Sequence, residues 1–171
     1  MKWYTKAAVL ASVACLAVGF GGCGNSQPEN TAVAATQAQE ENVEVTLFVP
    51  NPDGSGVTEQ KTKVTPMVAA TPVRVLEAMI AADRTQADPV FKDDIRVHTV
   101  MVDKDGLAHV EMSKPFGEAK YGDQAATLQL QAIVKTLTDL KGIKEVTFTS
   151  DGFPVKELAG HDLSKPVSSI K

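Results

Sequence analysis

DQAATLQLQAIVKTLTDLKGIKEVTF, residues Asp123 to Phe148, decides how this chain folds. Ala126, Leu130, Ile133, Leu137 and Leu140 recur at steps of four and three, which sets them on one face of a helix, while Gln129, Gln131, Lys135 and Asp139 fall on the others. That spacing predicts a stripe facing a core. Asp123 is suited to accept hydrogen bonds from the first free backbone N–H groups, Lys141 stands in the last turn where the helix dipole favours a cation, and Gly142 can take the left-handed backbone that stops the helix. Ile143, Val146 and Phe148 then have the spacing of a strand packing back beneath the helix, closed by a turn at Asp151-Gly152.

Upstream of this unit, Ile95–Val102 and Leu107–Ser113 read as strands around Asp103-Lys104-Asp105-Gly106, a hairpin signal. A four-residue loop would put Ile95, Val97 and Met101 on one face with Ala108, Val110 and Met112, leaving Arg96, His98, His109 and Glu111 on the other. Lys114-Pro115-Phe116 breaks the second strand, and Phe116 is expected to tuck under the long helix. A first helix opens at Thr71-Pro72, with Thr71 as N-cap and Pro72 where its missing N–H costs nothing; its stripe is Val73, Leu76, Met79 and Ile80. The polar segment Asp83–Asp88 leads from it to Pro89.

Earlier still, Val43–Val49 alternates apolar and polar residues, so Val43, Val45, Leu47 and Val49 should point inward until Pro50 stops the strand. Asn51–Gly56 is a turn-rich loop and Gln60–Thr65 a second strand. After the long unit, Val155–Leu158 reads as a short return strand and Asp162–Val167 as an edge segment, because Pro166 has no N–H to donate. The order β-β-α-β-β-α-β-β, with an antiparallel-rich sheet and two helices packed on one face, is an α+β fold.

The 171 residues suit one domain, assigned to 43–171, plus an N-terminal extension. Residues 1–22 have the make-up of an export signal: Lys2 and Lys6, an apolar run from Ala7 to Phe20, then glycines before Cys23. The run falls short of the roughly 20 apolar residues a spanning helix needs. Phe20-Gly21-Gly22-Cys23 has the form of a bacterial lipobox, with Phe20 where Leu is usual, and marks Cys23 as the lipidated residue; Cys15 would leave a shorter apolar run. Both cysteines lie within the first 23 residues, so the exported part has no second thiol to pair with Cys23. A single acyl chain binds membranes only marginally, so the anchor expected here is diacyl or triacyl, of the palmitate type. Residues 23–42 are polar and aperiodic after the cysteine and read as a disordered tether of about 25 Å root-mean-square span. These features predict an exported protein held to the outer surface of the bacterial cell membrane or envelope.

Removing residues 1–22 removes two lysines, leaving 17 − 2 = 15 basic against 21 acidic residues and a net charge of −6 instead of −4. An acidic chain without a basic stripe excludes nucleic acid as the expected partner. The nearest approach to a catalytic or metal constellation is the group Arg96, His98, His109 and Glu111, which is also what the wet face of a one-sided sheet should carry. Asn51-x-Asp53-x-Ser55-Gly56 has the oxygen spacing of half a calcium loop, but Thr62 stands where the bidentate Glu belongs and a strand follows where a helix should. His161 stands alone near the C-terminus. No G-x-S-x-G, H-E-x-x-H or P-loop occurs. No catalytic residue, metal ligand or cofactor is therefore assigned.

Four segments together resemble a known family: TPVRVLEAMI (71–80), GLAHVEMS (106–113), AIVKTLTDLKGIKEVTFTSDGFPV (132–155) and GHDLSKPV (160–167). They are similar to the GerMN domain of sporulation and spore germination, found in exported bacterial lipoproteins, over about residues 43–167. Glu111-Met112 stands where the family commonly has Asp-Leu, and Phe153 where Lys is common. The resemblance implies no agreed active site and favours a scaffold role in an envelope complex. The reading is thus a non-catalytic module that binds an envelope protein or cell-wall partner, through its wet face or by strand addition at an edge. Two alternatives stay open: an envelope-polymer hydrolase using Glu111 with His98 or His109, and a small-ligand or metal carrier.

Overall fold

The computed structural model describes residues 41–171; the export signal at 1–22, Cys23 and all but the last two residues of the tether lie outside the described residues. Strand β1 (Val43–Pro50) buries Val45, Leu47 and Val49 as its alternation requires, while Val43 lies exposed at its start. It pairs antiparallel with β2 (Val57–Val64), which begins three residues before the expected start. Two helices follow. Pro66 opens α1 (Pro66–Ala69), a single turn absent from the sequence reading, and Pro72 opens α2 (Pro72–Asp83). Thr71 occupies the N-cap position, but its hydroxyl turns back to donate to the Met67 carbonyl at 2.7 Å and caps no N–H. Helix α2 buries Val75, Leu76, Met79 and Ile80.

Strand β3 (Val97–Val102) pairs antiparallel with β4 (Leu107–Met112), and the ladder slips between Val97 and Thr99. That β-bulge corrects one expectation: Val100 and Val102 face the same way as Val110 and Ala108, and Met101 is turned out to 67% exposure. Its cause is legible in the chain. The apolar residues Ile95 and Val97 are out of phase with Val100, and one extra residue in the strand lets all three turn toward the core, while Val102 stays 40% exposed at the strand's end.

Helix α3 (Lys114–Gly117) is one turn that carries the fully buried Phe116 to within 5.6 Å, centroid to centroid, of Phe148. Helix α4 (Asp123–Asp139) starts at an N-cap of Gly122, so Asp123 is its first residue and makes no capping bond. Ala126, Leu130, Ile133 and Leu137 of the expected stripe are buried, with Leu140 half-buried just past the helix end, but so are Leu128, Gln129, Ala132, Val134 and Thr136. The helix packs on β1, α2 and β5 alike, which buries most of its circumference. Gln129, expected in solvent, instead donates to the Val90 carbonyl at 2.9 Å.

Strand β5 (Glu145–Ser150) runs parallel to β4, with Leu107 opposite Glu145 and Met112 opposite Ser150. The sheet is antiparallel-rich as expected, at β3–β4 and at the β5 edge, but a strand reached through a helical crossover can arrive parallel, and β5 does so beside β4. Strand β6 (Phe153–Pro154) pairs with β5, while β7 (Glu157–Leu158) and β8 (His161–Asp162) form their own small hairpin, so only Glu157 and Leu158 of the expected return strand at 155–158 are strand, and they do not return to β5. The tail then closes the sheet, Val167 exchanging two 2.9 Å backbone bonds with Val146. The described fold is α+β, with a β1–β2 hairpin, a four-stranded β3-β4-β5-β6 sheet and the β7–β8 hairpin around one core.

Candidate interaction surface

The parallel β4–β5 register sets His109 beside Thr147 and Glu111 beside Thr149 on the wet face. His109 Nδ1 lies 3.3 Å from Thr147 Oγ1, and its Nε2 is 3.9 Å from Asp103 Oδ2. Glu111 accepts from the Thr149 hydroxyl and, at 2.9 Å, from the Gly152 N–H, so it holds the Asp151-Gly152 turn. Both side chains are engaged with sheet neighbours. His98 sits exposed in the bulge, and Arg96 departs from the group: its Nε donates to the Asp93 carbonyl at 3.1 Å and it lines a hollow beside α2 with Glu77 and Arg84. The four residues therefore do not converge. Among the described residues no three His, Cys, Asp or Glu side chains are grouped to hold a metal. His161 ties β8 to α4 through Thr127 Oγ1 at 3.1 Å.

The loop with calcium-like spacing spends its oxygens on itself. Asn51 bonds Ser55 at 3.0 Å and accepts from the Thr58 hydroxyl, and Asp53 accepts the Ser55 N–H at 2.9 Å. Hydrogen bonds from Ser55, hydroxyl before N–H, hold the Asp53 carboxyl below its ordinary value.

Two charged groups escaped the sequence reading. Asp83, in a segment expected to be polar and exposed, is fully buried at the end of α2, where its carboxylate accepts the Phe91 N–H at 2.8 Å and the Gln86 amide at 3.1 Å. Burial pushes its pKa up, and N–H groups of Phe91 and Val90 pull against that shift. Arg84 binds the same segment from outside, donating to the carbonyls of Phe91, Lys92 and Ile95 at 2.8–3.0 Å. An Asp-Arg pair following an apolar stripe was the available signal. The second group is Asp94, which accepts from Lys120 at 2.6 Å and Tyr121 at 2.7 Å. Those bonds lower the Asp94 pKa and raise those of Lys120 and Tyr121. Tyr121 stands 39% exposed at the mouth of a hollow of about 330 Å³ shared with Asn51, Asp53, Lys92 and Gln124.

Among the hollows in the described surface, five have volumes of about 330–540 Å³, and His98, His109 and Glu111 line none of these five. The largest of the five lies beside Phe153, which is 75% exposed. What stands out chemically is exposed apolar surface: Met67 on α1, Met101 and Val102 on β3, and Phe153 on β6.

The family model for Germane, described as sporulation and spore germination, matches residues 46–156. The chain belongs to the Germane family. Its fold is shared with the first GerMN domain of the sporulation protein GerM from Bacillus subtilis, at 20% identity and a TM-score of 0.53, over 75% of this chain and 96% of that one. The tandem GerMN domains of the same protein superpose with a TM-score of 0.52 at 20% identity, covering 77% of this chain and 46% of that longer one. At that identity the likeness concerns the fold. No curated protein matches the chain. The Germane match stops before β7 and β8, so this closing part of the domain lies beyond the region that defines membership.

Proposed function

We propose that this Germane-family protein is a lipid-anchored, non-catalytic module of the bacterial cell envelope that binds a protein or cell-wall partner through its exposed strand and loop surface. The observation that carries the reading is the use made of the wet face. Glu111 and His109, the side chains best suited to acid–base work, lie on an open sheet and are bonded to Thr149, Gly152 and Thr147. Catalytic groups need instead a water-shielded pocket. Location follows from Cys23 behind its apolar run. Anchoring through a multiply acylated cysteine would hold the domain at the membrane surface, with the tether setting its reach.

Replacing Cys23 with Ser in the native host tests the anchor. The variant is expected to leave the membrane fraction and appear in the soluble or released fraction; a variant that still sediments with membranes would overturn the assignment. Crosslinking of the native protein in living cells, followed by identification of what is captured, tests the binding role. Reproducible capture of an envelope protein or cell-wall fragment is expected, and hydrolysis of envelope polymer by the purified protein would replace this reading.

A further inference from the structure

Val64–Val73, with the sequence VTPMVAATPV, runs ten residues without a charge, yet none of them is buried. Helix α1, at its centre, buries no side chain, and Met67 stands 73% exposed. A segment of this composition ordinarily reaches a core; left at the surface, it forms an apolar patch of the kind that marks a contact site. The patch runs on into a hollow of about 420 Å³ lined by Ala69, Pro72, Val100, Val102, Leu140 and Lys141. Lys141 is the one charged residue among the described residues of that lining. Each of the other four hollows has at least one carboxylate in its lining, as with Asp53, Glu77, Glu118 and Asp93. Charges of both signs border the patch: exposed Glu41, Asp103, Asp139 and Glu145 stand among Lys63 and Lys144. Glu44 and Asp105 are paired there with Lys61 at 3.5 Å and Lys104 at 2.8 Å. Attraction at this site is therefore apolar and not electrostatic.

The same corner is where the chain enters the domain. Val43, 40% exposed, pairs with Val64, and the carbonyl of the next residue, Thr65, accepts the Ala69 N–H at 3.0 Å. The start of β1 is thus linked through one strand pair and one helical turn to the rim of the hollow. Nineteen residues separate Val43 from Cys23, a reach of about 25 Å for a flexible chain.

We propose that this corner rests on the lipid bilayer, with Val43, Pro66 and Met67 at the boundary of headgroups and acyl chains and Lys141 reaching the phosphates at its margin. Two features select lipid as the occupant. The chain leaves this corner toward Cys23, so the leash holds it nearest the bilayer. A lining whose described residues include no carboxylate can also meet a phosphate surface without burying a like charge, which the other four hollows cannot. The contact is shallow and weak by itself, but a domain already held at the surface needs little affinity, because its local concentration there is high. Docked this way, β6 and the Asp151-Gly152 turn, at the far end of β5, face away from the membrane and toward the envelope partner. The inference rests on the anchored-module reading.

The test uses the chain from Cys23 onward, which keeps every residue of the described core and loses Cys15 and the single tryptophan, Trp3. Cys23 is coupled to a maleimide-bearing lipid in phosphatidylcholine vesicles, which imposes the anchor whether or not cells acylate that cysteine. The outcome is therefore separate from the fate of Cys23→Ser in cells. With Met67→Trp, the indole emission should move to shorter wavelength on coupling and be lost in vesicles whose acyl chains are brominated. Phe153→Trp is the control and should do neither: position 153 is 75% exposed and pairs with Ser150, about 17 Å along β5 from Glu145. Adding Ala70→Glu to Met67→Trp sets a carboxylate in the patch at an exposed position and should abolish both effects. An unquenched indole at position 67, equal quenching at 153, or quenching that survives Ala70→Glu would each overturn the proposal. So would an emission shift at 67 that needs no vesicle and grows with protein concentration, which would assign the patch to a second copy.

Discussion

Asp83 shows how one buried acid organises a segment without regular structure. Its carboxylate is the acceptor for the Phe91 N–H, and Arg84 holds three carbonyls of the same segment from outside. Folding raises its pKa above the ordinary 3.8, so the folded state favours the protonated form. The stability linked to this group is therefore greatest below the ordinary carboxyl value and is lost as pH rises through the raised one. Asp83→Asn keeps an oxygen for Phe91 and removes the charge, and should gain stability relative to the parent as pH rises above the ordinary carboxyl value. Asp83→Ala strands a buried donor and should cost about 1–3 kcal/mol at neutral pH. Urea unfolding of both variants from below that carboxyl value up to neutral pH is the measurement, and equal effects of Asn and Ala would refute the assigned role. Asp94 and Asp103 are shifted the other way, Asp94 chiefly by the Lys120 bond and Asp103 chiefly by the Leu107 N–H, so their contributions are present above the ordinary value and fade as pH falls. Placing Glu111 on the wet face needed only period-two alternation; its bonds to Thr149 and Gly152 could not be read, since they depend on which strand lies beside β4.

Two turns meet at the junction of the β3–β4 hairpin with the α4–β5 connection. Gly106 (φ +90°) and Gly142 (φ +96°) both adopt backbone that L side chains avoid, but their surroundings differ. A Cβ on Gly106 would lie 2.5 Å from the Gly142 carbonyl oxygen, whereas one on Gly142 would meet open space. Gly142→Ala should cost about 1–2 kcal/mol, the strain of the left-handed conformation alone. Gly106→Ala adds a clash with backbone and should cost about 3–5 kcal/mol. Thermal or chemical denaturation compares them; equal losses would mean that the two turns do not touch. Gly142 was expected to stop the helix with Lys141 in its last turn, but α4 ends at Asp139 with Leu140 as its extended C-cap, and Gly142 turns the chain two residues later. Gly106 was legible as a turn residue, but not its contact, because 36 positions separate it from Gly142 in the chain.

The C-terminal tail completes the molecule beyond the stretch that the Germane family model matches, residues 46–156. Val167 satisfies the N–H and C=O of Val146, and Ile170 reaches the core. Ending the chain at Leu163 removes two backbone bonds and one buried isoleucine, for an expected loss of about 3–5 kcal/mol. Equilibrium unfolding of the truncated protein should show this, and an unchanged midpoint would make the tail an ornament. At this scale the sheet edges also divide the surface, with charge on β2, prolines near β5 and apolar residues on β3.

By itself the sequence determined the α+β class, the long helix and the strand after it, the β3–β4 hairpin and the alternation that buries β1. Each depends on periodicity or turn chemistry within about 20 neighbouring residues, where backbone geometry dictates which side chains share a face. Tertiary structure alone decided that β5 runs parallel to β4, that α4 is buried on several sides and that Asp83 is an interior acceptor. It likewise decided that Arg96 leaves the His98, His109 and Glu111 group. Those outcomes depend on which distant segments become neighbours, and local spacing carries no term for that.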